Sequence, residues 1–182
     1  LTLSLIINNT LQLSDMSFRN ILLALVCNFL PILLYAQDLD TSSLYKILSP
    51  GGFVIDGEGN FEDNAPLVLR SDQKENKNQL WKLKRLENGA YVITNPFTGR
   101  SLDNGNRQQG SGNPVIQWGT NDDNQNQHWE IEVTGTGAVR IKSMASGMSP
   151  GLNQPAVIGA KVYQPDQQSV VEGKSVYLGG PR

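Results

Sequence analysis

Asp103, Trp118, Asn126 and Gln127 lie close together in the chain and differ in what each can do. An ionised carboxylate accepts hydrogen bonds, and its charge makes those bonds strong. A carboxamide both donates and accepts. An indole offers a flat apolar face. Asp56, Arg70, Asn78 and Gln79 repeat the arrangement upstream with a guanidinium in place of the indole. A guanidinium can stack, but it is a solvated cation and a poorer apolar platform. Each member also has an ordinary structural use. Asp103 lies in "LDNGN", and Asp-Asn-Gly alone signals a turn. Trp118 alone would fit a core, and an Asn-Gln pair can cap a loop. Any one of them alone is a weak signal.

Bond-breaking chemistry has little to work with. The single histidine, His128, sits between Gln127 and Trp129. If Trp129 turns inward, strand alternation turns His128 outward into solvent. Glycoside cleavage needs two carboxylates held across a cleft, one with a raised pKa. Asp122 and Asp123 are adjacent in a polar loop and do not face each other across a cleft. The stretch "NDDN", 121–124, is a weak calcium motif. Neither catalysis nor a cofactor nor a metal is expected.

The elements that would position these side chains show as a repeat. "NKNQLWKLKR" from Asn76 and "NQNQHWEIEV" from Asn124 share Asn-x-Asn-Gln-x-Trp, with Trp81 and Trp129 about 48 residues apart. Upstream of each, Asp56 matches Asp103 and Arg70 matches Trp118. A third copy follows. "GAYVITNPFTG" lies over "GAVRIKSMASG", and Tyr177 stands where Trp129 predicts an aromatic. In "WEIEV", apolar Trp129, Ile131 and Val133 alternate with Glu130 and Glu132. In "WKLKR", Trp81 and Leu83 alternate with Lys82 and Lys84. A period of two marks a half-buried strand. One such unit cannot bury its apolar face, whereas three around a pseudo-threefold axis can share a core.

Three repeats of this length ending in Gln-x-Trp resemble the ricin B-type lectin family. The resemblance implies an all-β fold, a β-trefoil of three ~48-residue repeats, here about 42–88, 89–136 and 137–182. It further implies one shallow sugar site per repeat. The aspartate would bind hydroxyls, the aromatic would carry the C–H face of the ring, and the Asn would bond a hydroxyl. The Gln would steady the Asp and Asn. The second repeat holds the full set, Asp103, Trp118, Asn126 and Gln127. The first, with Asp56, Arg70, Asn78 and Gln79, is expected to be weaker. The third has Gly151 at the aspartate position, Pro165 or Asp166 at the aromatic one, and Lys174 and Ser175 for the Asn-Gln pair, and is expected to close the fold without binding sugar. Family members often carry two cysteines per repeat. Those positions here hold Ser101 and Thr120 in the second repeat, and Val54 and Asp72 in the first. Glycans of galactose or xylose type are the implied partners. A trefoil that binds protein or serves only as structure is the rival reading, and an accessory module of a carbohydrate-degrading enzyme is another.

The remaining features bound the setting. Residues 16–36 combine Arg19, a nearly continuous apolar run and a terminal Ala36, the layout of a signal peptide. A secreted or periplasmic location follows as an expectation, with no membrane contact after cleavage. Residues 1–15 precede the first methionine and read as an upstream extension. Residues 37–182 make one domain. The lone cysteine, Cys27, falls in the leader, so the domain is expected to fold without disulfides. The charge balance is slightly acidic, with 15 Lys and Arg against 17 Asp and Glu, and gives no reason to expect nucleic acid.

Overall fold

Alternation decides which strands form the barrel. Trp81–Arg85 and Trp129–Val133 are strands, with Trp81 and Leu83 buried and Lys82 and Lys84 exposed, and with Trp129 buried and Glu130 exposed. The computed structural model describes residues 39–49, 51–105, 110–133, 139–152, 156–165 and 177–178. The upstream extension, the signal peptide, Asp166, Lys174, Ser175 and the side chain of Tyr177 lie outside the described residues.

In chain order the described strands are β1 (Leu44–Tyr45), β2 (Ile47–Leu48), β3 (Val54–Asp56), β4 (Ala65–Pro66), β5 (Val68–Arg70), β6 (Trp81–Arg85) and β7 (Tyr91–Asn95). They continue as β8 (Arg100–Asn104), β9 (Asn113–Gly119), β10 (Trp129–Val133), β11 (Val139–Ser143), β12 (Tyr163–Gln164) and β13 (Tyr177–Leu178). Neighbours pair antiparallel in a closed circuit. β1 pairs with β6, β6 with β7, β7 with β10, β10 with β11, β11 with β13, and β13 with β2. Since β1 and β2 are separated only by Lys46, the circuit is a six-stranded barrel. Closure gives each barrel strand a partner on both sides.

Three hairpins cap one end. The first is β3 with β5 and the second β8 with β9, while the third is marked by the bridge between Gly151 and Tyr163. They join one another in turn. β4 pairs with β9, β9 with β12, and Val68 bridges Lys161. The threefold relation is visible in the side chains. Ile47, Ile93 and Ile141 are buried at equivalent barrel positions, as are Leu67, Val115 and Val162 in the cap. Trp81 and Trp129 are buried in the same core cluster. Their indole Nε1 groups donate to Ile55 O at 3.4 Å and Leu102 O at 3.1 Å, so each buried N–H has a partner. The arrangement is a β-trefoil.

One turn shows how the repeat is written locally. Gly99 donates its N–H to Asn95 O at 2.9 Å, and Gly147 does the same to Ser143 O at 2.8 Å. Both have left-handed backbones, φ 68° and 73°. A side chain is strained there, and glycine is not.

Candidate functional site

The second-repeat site is built on the register of the β8–β9 hairpin. Asp103 pairs with Ile116 and Ser101 with Trp118. Residues directly opposite share a face, so Asp103 and Trp118 look out from the same side of the hairpin, diagonal to one another. Trp118 is 41% exposed, whereas Trp129 is fully buried. The period of the repeat thus separates a surface tryptophan from a core one, as expected from the sequence.

Asp103 is only 4% exposed and is held from below. Its Oδ2 accepts from Asn124 Nδ2 at 3.0 Å and from Gln127 Nε2 at 3.1 Å. Gln127 is buried. Its Nε2 also donates to Gly119 O at 2.9 Å, and its Oε1 accepts from the Asn121 N–H at 2.9 Å. With its amide engaged on three sides, Gln127 positions Asp103 and ties the end of β9 to the loop. Asn126 is half-buried, and among the described residues its side-chain amide makes no hydrogen bond. That amide is free to meet a ligand. A short 3-10 turn, Gln125–Gln127, sets this geometry: Asn124 caps it, accepting the Asn126 N–H on its side-chain oxygen at 3.1 Å.

Asn124 was not among the residues expected from the sequence. It is the first Asn of Asn-x-Asn-Gln-x-Trp, and Asn76 does the same work in the first repeat. Asp56 Oδ2 accepts from Asn76 Nδ2 at 2.9 Å and from Gln79 Nε2 at 3.1 Å, and Gln79 Nε2 reaches Ser71 O at 2.9 Å. Repetition of that first Asn was the signal available. The two frames match bond for bond.

The surroundings of the frames differ. Val54 pairs with Arg70 and Asp56 with Val68, so Arg70 takes the diagonal place that Trp118 has in the second repeat. Its guanidinium forms an ion pair with Glu58. The Glu58 N–H also donates to Asp56 Oδ1 at 2.6 Å. Asn78, like Asn126, makes no side-chain hydrogen bond among the described residues, and a Cβ on Gly59 would lie 3.3 Å from its Oδ1. The 57–59 loop therefore lies against the groups a ligand would touch. In the third repeat, Gly151 faces Tyr163 as Asp103 faces Ile116. The register selects buried Pro165 as the aromatic-position residue, and neither residue offers a side-chain hydrogen bond or an aromatic face.

The expectation for His128 is corrected. The ring is buried, 8% exposed, and its Nε2 lies 2.7 Å from Asp122 O. His128 is the C-terminal cap of the 3-10 turn and precedes the strand, so strand alternation does not govern it. The 121–124 turn folds over the ring. In that turn Asp122 pairs with Lys84, and Asn121 Oδ1 accepts the Asp123 N–H at 3.0 Å. Among the described residues no cluster of three or more His, Cys, Asp or Glu could hold a metal.

The positions where the family often has cysteines are joined here without sulfur. Ser101 Oγ lies 2.8 Å from Thr120 Oγ1 and 2.7 Å from Thr94 Oγ1. In the first repeat Val54 is buried and Asp72 pairs with Lys46.

A family model described as ricin-type beta-trefoil lectin domain-like matches residues 36–118 and 77–164. The chain belongs to this family. No curated protein matches the sequence. Solved structures share the fold. A designed threefold-symmetric protein, ThreeFoil, is 24% identical with TM-score 0.66, over 74% of this chain and 96% of that one. An exo-β-1,3-galactanase from Clostridium thermocellum is 24% identical with TM-score 0.65, over 79% of this chain and only 31% of the galactanase. A Polyporus squamosus lectin, solved with Neu5Acα2-6Galβ1-4GlcNAc, is 20% identical with TM-score 0.60, over 75% of this chain and 48% of the lectin.

Proposed function

We propose that this ricin-type trefoil is a secreted, non-catalytic carbohydrate-binding module with its principal sugar site in the second repeat. The observation that carries the proposal is the half-exposed Trp118 indole on the same sheet face as the anchored carboxylate of Asp103. A sugar ring has a C–H face and a rim of hydroxyls. The indole receives the face, while Asp103 and Asn126 receive hydroxyls. Gln127 and Asn124 keep Asp103 in place. A galactose- or xylose-type ring is the expected ligand class. The site is open and small, so an affinity on the order of 1 mM, about −4 kcal/mol, is expected, with useful avidity arising from clustering or from a neighbouring module.

The galactanase match favours a second setting for the same activity. The trefoil spans 31% of that enzyme's chain, so it stands there beside other structure. This chain would act likewise, holding polysaccharide near a separate catalytic protein. A glycan-array screen of the purified protein tests the proposal. Enrichment of galactose- or xylose-bearing glycans, competed by the free sugar, supports it. An array with no sugar signal, at protein concentrations near the expected affinity, overturns it.

A further inference from the structure

The pairing of four successive strands puts a cation in line with the Trp118 platform. Lys82 on β6 faces Thr94 on β7, Thr94 faces Ser101 on β8, and Ser101 faces Trp118 on β9. Directly opposed residues share a face, so the four residues lie in register in one row on one face of the sheet, with Lys82 and Trp118 exposed at its two ends and Ser101 buried between them. The hydroxyl contacts between Thr94, Ser101 and Thr120 lie along that row. Three strand spacings separate its ends, about 14 Å. That distance exceeds one sugar ring and suits a short oligosaccharide.

The Lys82 end is a recess. A cavity of about 490 Å³ is lined there by Lys82, Lys84, Arg85, Thr94 and Pro96, among others. The corresponding strand of the second repeat shows what a purely structural use of such charges looks like. On β10 the outward Glu130 faces Lys142 of β11, 3.6 Å away, and Glu132 faces Arg140. On β6 the outward Lys82 and Lys84 face Thr94 and Val92, which carry no charge. Lys84 finds Asp122 from a loop. Lys82 forms no ion pair among the described residues, and it lines the recess.

We infer that the second-repeat site takes an acidic oligosaccharide, with a neutral ring on Trp118 and a carboxylate or sulfate placed in the recess beside Lys82. The inference rests on the sugar site proposed above and adds its specificity. A densely charged polyanion is a poorer fit, because the chain is net acidic, −2, and Lys82 offers it a single charge. A sparse charge, one per few rings, meets Lys82 without facing the acidic strand β10.

The test is calorimetric titration of the purified protein with a galactose- or xylose-ended trisaccharide carrying one terminal uronate, and with the same trisaccharide after reduction of the carboxyl to an alcohol. A sulfated trisaccharide and a single-stranded oligonucleotide serve as further arms. The uronate form is expected to bind about two- to fivefold more tightly than its neutral counterpart, the scale of an exposed ion pair. That preference should vanish in Lys82→Gln, reverse in Lys82→Glu, and fade as salt rises to about 0.3 M. Affinity for the neutral form should not change in Lys82→Gln. If the parent binds neither the uronate nor the sulfated form more tightly than the neutral one, if the preference is undiminished in Lys82→Gln, or if the oligonucleotide binds more tightly, the inference is overturned. Binding of the sulfated form in place of the uronate identifies the anion as sulfate and keeps the inference. The sugar site itself is judged separately by neutral-form binding, which must be lost in Trp118→Ala.

Discussion

The first and second repeats build the same carboxylate frame and surround it differently. Asp56 and Asp103 are each held by an Asn and a Gln at nearly identical distances. Above Asp103 stands an exposed indole. In the matching place beside Asp56 stands Arg70, paired with Glu58. The shared part acts as scaffold, since it is complete in a repeat that has Arg70 in place of an aromatic ring. On the proposed reading, binding turns on the residue at the aromatic position, Trp118 in the second repeat and Arg70 in the first. A buried Asp alone does not mark a sugar site.

The largest expected effect tests the shared part. Trp81→Ala and Trp129→Ala should each destabilise the protein by about 3–5 kcal/mol, the cost of truncating a large buried aromatic. Denaturant midpoints of the two variants should agree closely. If only one is severe, the two repeats do not contribute equally to the core.

Next comes the link at the base of the second hairpin. Ser101→Cys with Thr120→Cys should oxidise to a disulfide and stabilise by about 2–4 kcal/mol, read as a melting shift that reductant reverses. The same pair of changes at Val54 and Asp72 should gain less, because it removes the Lys46–Asp72 ion pair. Equal gains would mean that the two hairpins close alike.

Gln79→Ala and Gln127→Ala leave buried partners unsatisfied, so each should cost about 1–3 kcal/mol in chemical denaturation. Only Gln127→Ala should weaken sugar binding, because only its carboxylate lies beneath a platform. A parallel loss of binding in Gln79→Ala would show the first repeat to be a working site. The smallest effect is a gain. Arg70→Trp should add a second, weak binding event in calorimetry with little change in stability. Unchanged stoichiometry would mean that the 57–59 loop, rather than the missing ring, closes the first repeat.

Much of this was legible in the sequence because the period and the alternation constrain each other. The spacing put Trp129 with Trp81 in the core, and Arg70 at the equivalent place argued that Trp118 lay outside, since a core resists an unpaired charge. The register between β8 and β9 follows from the same alternation. What escaped notice lies outside the strands. Asn124 and Asn76 act from the cap of a 3-10 turn, where neither period applies. His128 ends that turn, and a loop folded from residues 121–124 covers it. The Ser101–Thr120 contact joins a residue of β8 to the one that follows β9, which pairing brings about and local pattern does not show. The row from Lys82 to Trp118 needs the register of three strand pairs at once.

The most direct measurement is a galactose and xylose titration of the parent protein and of Trp118→Ala, with the denaturant midpoint of each recorded alongside. The account predicts sugar binding near the millimolar range by the parent, no measurable binding by Trp118→Ala, and midpoints that nearly coincide. A Trp118→Ala protein that binds sugar as well as the parent, or one that unfolds, contradicts it.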